Sequence, residues 1–419
     1  MVTSRAAILT VLLLFLVAAC SGGAATDAPP PSFDPPLGFA AATGRLPSST
    51  TTQYFSGGQD LPATLAGTSV WMTDGGRLER VDSVGTAAPV ALPAGVTVAG
   101  RPWSSADGAQ VLAAATAVIP GQGTTPPGLA VELVVVDAAS ATVTATIPAT
   151  LPWNDRPGSI RLAVSGSPSG IAVVSAHTDA QRTTIGVDIA RRRTLWSADG
   201  VDASAMLPGA AGGPVVVGTT TPSGQSRNYA ASSVVGLDAR TGARRFGVFE
   251  GARAVRGATV TTAGPALVAV SGRETTSGSL LGSPASLLFV GADGGVRRTE
   301  SLGSSLTASP PRCVWDEAAT TVCSVGTRVL AVDATTAAPL WSLPDPTANR
   351  VAPTVTTAWH GAVYGTTVNG PVVLDARTGA DRDRAPGVAP ILVDGYLAVA
   401  TETGVAGVGG RSAIHPAVR

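Results

Sequence analysis

One pattern recurs along most of the chain. A short apolar run ends in Asp, a polar turn follows, and a second apolar or alternating run completes the unit. It appears as RLERVDSVGTAAPVAL around Asp82, LVVVDAASATVTATI around Asp137 and TIGVDIARRRTLWSA around Asp188. It continues as SVVGLDARTGARRFGVF (Asp238), LLFVGADGGVRRTESL (Asp293), RVLAVDATTAAPLWSL (Asp333) and GPVVLDARTGADRDR (Asp375). Runs of this length, bounded by Gly, Asp and Thr, predict β-strands rather than helices. The aspartates fall 55, 51, 50, 55, 40 and 42 residues apart. A period in that range, with about four strands per unit, is the spacing of β-propeller blades. The expected fold is therefore all-β.

The repeated residues have physical reasons to be there. An Asp at a strand end accepts hydrogen bonds from backbone amides two or three residues on, which starts a turn. In Asp238-Ala-Arg-Thr-Gly242 and its twin Asp375-Ala-Arg-Thr-Gly379, the glycine supplies the positive φ that closes the hairpin. Eight residues after the Asp a large side chain often returns, as Trp196, Phe246 and Trp341, placed to fill the wedge between outer strands of adjacent blades. These aspartates read as turn caps rather than metal ligands or catalysts, because they recur once per unit. Seven units are complete. An eighth (VDGYLAVATETGVAGVGG, 393–410) stops after its third strand, with Gly409 where the Asp should be. The stretch 37–43 (LGFAAAT) is expected to supply the missing strand, closing the ring and removing its exposed edge. Eight blades are expected, with seven as the alternative.

The strand–LDARTG–strand unit, with Trp eight residues past the Asp in some copies, resembles the pyrroloquinoline-quinone-type propeller repeat over most of 60–410. That superfamily holds quinoprotein alcohol dehydrogenases and also non-enzymatic propellers, such as the lipid-anchored scaffold of outer-membrane protein assembly. The resemblance speaks to fold; a fold of this kind hosts many functions. The dehydrogenases stack their quinone on a disulfide of adjacent cysteines and hold calcium with Glu, Asn and Asp. This chain has no adjacent cysteine pair and only four asparagines, so no cofactor is expected and pyrroloquinoline quinone is disfavoured.

The N-terminus predicts an address. Arg5 precedes the apolar run Ala6–Val17, and Val17-Ala18-Ala19-Cys20 follows. Twelve residues of helix span about 18 Å, too short for a hydrocarbon core of about 30 Å, so the run reads as a signal-peptide core over 1–19. The small residues before Cys20 resemble a bacterial lipobox. That resemblance implies acyl chains, palmitate among them, on the Cys20 sulfur, and anchorage to the outer face of the cell membrane. Residues 20–36, beginning at Cys20 and rich in Pro, Gly and Ala, then read as a disordered spacer. The propeller is expected over 37–410, with a tail at 411–419. Export to an oxidising compartment also favours a structural disulfide between Cys313 and Cys323, which are expected to face each other across a hairpin in CVWDEAATTVC.

Composition narrows the chemistry. Charged residues make up 13% of the chain, half the usual share of about 25%. The 28 basic residues, all arginine, balance 28 acidic ones. Codon bias of a GC-rich genome accounts for the missing lysine. Without lysine there is no P-loop, no Schiff base and no Ser-x-x-Lys hydrolase, and a neutral chain has no basic stripe for nucleic acid. His177, His360 and His415 lie far apart and form no metal-binding pair, and no nucleophile elbow or dinucleotide fingerprint occurs. No catalytic or metal-ligating residue is assigned.

One positional signal remains. Insertions at 118–132, 175–184, 219–233 and 272–286 all fall between the expected second and third strands of blades two to five. Loops joining those strands share one face of a propeller, and loops on a rigid scaffold carry binding. His177, Asp179, Arg227, Asn228, Tyr229, Arg273 and Glu274 are the polar and aromatic candidates there. The sequence thus predicts a membrane-anchored, extracytoplasmic, non-catalytic propeller that binds an envelope protein or polymer. The alternative is an enzyme of the propeller class, a degenerate quinone-dependent dehydrogenase or a polysaccharide-cleaving enzyme.

Overall fold

Strands rich in Val, Ala and Thr on both sides of the pleat have no solvent face, and the fold gives them none. In a computed structural model, residues 31–47, 54–55, 58–59, 61–124, 128–151, 160–178, 180–220, 231–250, 255–274, 285–303, 311–402 and 411–419 are described. They form an eight-bladed β-propeller of four-stranded antiparallel blades, with no helix among the described residues. Blades 1 to 7 span 63–89, 96–150, 161–199, 201–248, 255–303, 312–343 and 354–383. Blade 8 takes Leu392–Val393, Leu397–Thr401 and Ser412–Pro416 from the C-terminal end and Gly44–Arg45 from the N-terminal end. The first strand of each blade touches that of the next, and blade 8 touches blade 1, so the ring is closed. Blades 4 and 5 are further joined by pairing of Ala231 and Ser232 with Arg256 and Val255.

The apolar core is divided into eight clusters, one in each gap between neighbouring blades. Strand alternation does this: in Ile171–His177, Val173 packs towards blade 4 and Val174 towards blade 2. Both faces of the strand are buried, so few charges are needed and turns make most of the polar surface. This accounts for the charge-poor composition.

The turn-cap reading of the aspartates holds throughout. Asp82 accepts from the amides of Val84 and Thr86, Asp137 from Ser140, Asp188 from Arg191, and Asp293 from Gly295. Asp238, Asp333 and Asp375 each accept from two amides and a Thr hydroxyl. Cys313 and Cys323 are a directly opposed pair on the first two strands of blade 6 and form a disulfide. Both are buried in the gap facing blade 5.

Two sequence boundaries change. Residues 411–419 are not a tail: Ser412–Pro416 is the third strand of blade 8, and His415 is buried with its Nδ1 2.9 Å from the Ala40 carbonyl. The expected closing stretch 37–43 lies beside this strand through main-chain bonds of Leu37, Ala40 and Thr43, while the regular closing strand is Gly44–Arg45. Nor does a free spacer extend to residue 36. The Phe33 amide donates to Gly395, Asp34 meets His360, and the Pro36 carbonyl accepts from Tyr364 Oη. Phe33 and Leu37 pack on the cluster between blades 7 and 8, and their apolar side chains are the reason this Pro-rich segment docks.

Candidate functional site

Up-and-down strand order gives the propeller two faces. Turns between first and second strands, and between third and fourth, lie on one face, called here the turn face. Links between second and third strands lie on the opposite loop face. The strand ends that the four insertions join, of the second and third strands of blades 2 to 5, lie on the loop face. In blade 2 they extend the hairpin Gln110–Ile119/Gly128–Asp137, which leaves Val118 and Ile119 56% and 41% exposed.

His177 is the last residue of the second strand of blade 3, and its Nδ1 lies 3.7 Å from a carboxylate oxygen of buried Asp202 on blade 4. Arg273 and Glu274 close the second strand of blade 5, on the same face but two blades away. Asp179, Arg227, Asn228, Tyr229 and Cys20 lie outside the described residues. Sequence reading missed Arg182 and Asp202. A charged residue at a strand end looks solvated in sequence, whereas both are buried here.

The turn face carries a second group of titratable residues, which sequence spacing did not reveal. At the first turn, blades 1 to 3 use glycines in the left-handed region, Gly67, Gly108 and Gly170. Blades 6 and 7 instead hold Glu317 (φ 57°) and His360 (φ 42°) in that region. Non-glycine residues pay a steric penalty there, and such outliers gather at functional or tightly constrained sites. Asp316 links the two turns. It is buried, caps its own turn through the Ala318 and Thr320 amides, and accepts from Gly361 at 3.2 Å.

His360 stacks on Trp359 at 4.0 Å, and its Nδ1 lies 2.5 Å from Asp34. The Glu317 side chain reaches water but is surrounded by protein, and this partial desolvation raises its carboxyl above the ordinary range; His360 and Arg101 oppose the rise. Burial pushes the Asp394 carboxyl up to about 6, against the lowering effect of bonds from the Leu397 and Tyr396 amides. The N-terminal segment therefore docks among these groups, on the face opposite the insertions.

Among the described residues no group of three or more His, Cys, Asp or Glu is arranged to hold a metal ion. Two clefts of about 320 and 310 Å³ lie by the outer strands of blades 6 and 7 and of blades 5 and 6, away from both groups.

No family model matches the chain, and no curated protein sequence matches it. Solved structures do. The chain is similar to the Dos1 propeller, with 12% identity, 88% of this chain and 94% of that one covered, and a TM-score of 0.50. It is also similar to hydrazine synthase of Kuenenia stuttgartiensis (14% identity, 77% and 98% covered, TM-score 0.42). A third likeness is to a europium-containing methanol dehydrogenase (10% identity, 87% and 85% covered, TM-score 0.41). At these identities the likeness is one of fold, and such propellers include enzymes and other proteins alike.

Proposed function

We propose that this protein is a membrane-tethered, extracytoplasmic propeller whose loop face binds an envelope protein or polymer and which has no catalysis of its own. The observation that carries this reading is the opposition of the two ends of the molecule. The N-terminal segment docks on the turn face through Phe33, Asp34 and Pro36, while the insertions join strand ends on the loop face. A lipid on Cys20 would hold the turn face towards the bilayer and present the loop face outward. Because docking begins near residue 32, a spacer between a lipidated Cys20 and the propeller would have at most residues 21–31, a reach of about 34 Å if fully extended. Exposed Val118 and Ile119 add apolar contact area at the presented end.

The test has two arms. Cys20→Ala should move the protein from membranes to the soluble fraction; retention refutes the anchor. Crosslinking followed by lipid extraction should recover one specific partner from the native chain and lose it when 221–230 is replaced by a short Gly-Ser link. Recovery unchanged by that replacement refutes the loop-face reading.

A second reading, an enzyme acting at the turn face, is favoured by the two left-handed residues Glu317 and His360 and by the raised carboxyls beside them. Turnover of a glycan panel, or of alcohols with quinone and calcium, that is abolished by Glu317→Gln would establish it, and a flat result removes it.

A further inference from the structure

Three wedges between blades are filled by an aromatic side chain that faces the next blade: Trp196, Phe246 and Trp341, which lie on Gly242, Gly294 and Gly379. The wedge between blades 5 and 6 is built differently. Blade 5 has Arg298 at the ring position, paired with Phe289 on its third strand, where the other three blades pair their ring with Gly186, Gly236 and Ala331. Bulk has moved one strand inward, and Phe289 is fully buried in the gap facing blade 6. The turn of blade 6 is changed to match. Its left-handed residue is Ala337 (φ 60°), whose amide donates to the Asp333 carbonyl as that of Gly242 does to Asp238. A Cβ on Gly242, Gly294 or Gly379 would lie 2.8, 2.6 or 2.7 Å from the aromatic side chain above it, so an alanine fits only where no ring arrives.

The outer part of this wedge is open as a cleft of about 310 Å³, with Arg298 and Glu300 of blade 5 on one side and Arg328, Leu330, Val332 and Ser342 of blade 6 on the other. Alternation puts Arg328, Leu330 and Val332 on one side of their strand, and Ser342 pairs with Leu330. Leu330 and Val332 belong to the core cluster shared with blade 5, so all four residues face it. The two buried aliphatic side chains make an apolar floor, and Ser342 is exposed beside them. The charges do not balance. Arg298 pairs with Glu300 along its own strand, and its buried Nε makes no hydrogen bond. Arg328 is exposed and makes no hydrogen bond or ion pair among the described residues. Two guanidiniums therefore stand against one carboxylate over an apolar floor.

We propose that this cleft binds an aromatic carboxylate. The ring lies over Leu330 and Val332, supplying from outside the aromatic group that blade 5 lacks, and the carboxylate meets the fork of Arg328. A guanidinium offers a carboxylate two parallel bonds and also packs flat on a ring. The fixed charge of Glu300 repels a phosphate dianion more than a monoanion, and the apolar floor favours an acid with a body to bury over a small one such as acetate. The same chemistry is offered by a free aromatic acid and by adjacent aromatic and acidic residues of a protein. The cleft lies on the rim of the ring of blades, so the loop-face reading neither needs it nor falls with it.

The test is calorimetric titration of the purified protein with indole-3-propionate, tryptamine, acetate, inorganic phosphate and the peptide acetyl-Trp-Asp-amide, with melting curves alongside. Indolepropionate should bind saturably, about ten-fold or more tighter than tryptamine, acetate or phosphate. Tighter binding of the peptide than of indolepropionate assigns the site to a protein segment, and equal or weaker binding assigns it to the free acid. Arg328→Met should weaken indolepropionate about ten-fold and leave the ligand-free melting temperature unchanged, because that side chain holds nothing in the fold. Ser342→Trp puts a ring into the cleft from its exposed wall and should abolish binding with the fold intact. Absence of saturable binding by both indolepropionate and the peptide, binding of acetate or phosphate as tight as theirs, or binding unchanged by either substitution overturns the proposal. If these titrations are flat while a partner is still captured through the loop face, only this inference falls.

Discussion

Trp196, on the fourth strand of blade 3, covers the turn glycine Gly242 of blade 4 and donates from Nε1 to the Ala239 carbonyl at 2.9 Å. Trp341 of blade 6 repeats the arrangement on Gly379 of blade 7, with its bond to Ala376 at 2.8 Å, and Phe246 packs on Gly294 of blade 5. The aromatic ring of one blade thus locks the turn of the next. The glycine is required twice over, by φ near +70° and by the ring, which a Cβ on Gly242 would meet at 2.8 Å. Trp196→Ala should cost about 3–5 kcal/mol of unfolding free energy, as large-to-small core changes do. Gly242→Ala should cost about 1–3 kcal/mol. Urea denaturation measures both, and a loss under about 0.5 kcal/mol in either would show that the lock does not hold the blades.

Ring closure depends on the N-terminal segment. Phe39 bridges Ala417, and Gly44 packs so closely on the turn of blade 1 that a Cβ would lie 2.3 Å from the Gly85 amide nitrogen. Gly44→Val should therefore lower the melting temperature by several degrees, in line with about 1–3 kcal/mol for overpacking. A protein beginning at residue 47 should aggregate, because the third strand of blade 8 becomes an exposed edge. Light scattering against a protein beginning at residue 32 checks this; equal solubility would mean that the strand is dispensable.

The Cys313–Cys323 bond closes a loop with a sequence separation of 10 residues. Chain-entropy arguments give such a loop about 2–3 kcal/mol. Reduction, or the double change Cys313→Ser and Cys323→Ser, should lower the melting temperature accordingly. Coincident curves with and without reductant would contradict this.

Arg377 of blade 7 reaches back to Asp333 of blade 6 at 2.8 Å, and with the turn amides it holds that carboxyl down at about 2. An acid whose folded value is depressed stabilises the fold above its unfolded value of about 4 and loses that contribution as pH falls towards 2. The stability gap between native protein and Arg377→Ala should therefore be about 1 kcal/mol at pH 6, given partial solvent screening. It should shrink between pH 4 and pH 2. A gap that does not change over that window would assign the effect to packing alone.

The fold was legible because each blade repeats its own turn chemistry: an aspartate that must cap, a glycine that must turn, an aromatic that must fill a wedge. Where a blade lacked those marks, reading slipped. The third strand of blade 8 pairs with Gly44–Arg45 rather than with a strand reached through a hairpin, so no turn-capping aspartate marks it, and the real strand, Ser412–Pro416, passed for a tail. Phe33 and Asp34 passed for spacer because prolines surround them. The candidate sites were less legible still. Asp34, Glu317 and His360 come from three distant parts of the chain, and only the closed ring brings them to one face. Arg182 lies inside the insertion 175–184 but was not among the candidates drawn from it, because nothing in sequence shows that it is buried.

The central claim is that the turn face is held towards the membrane and the loop face meets the partner. It is tested most directly by placing a photoreactive residue at one exposed position at a time in living cells. Ile119 and Gln181 serve for the loop face, and Val84 and Arg240 for the turn face. The account predicts one shared crosslinked product from positions 119 and 181 and none of that product from 84 and 240. The same product from the turn-face positions, or from those alone, would contradict it.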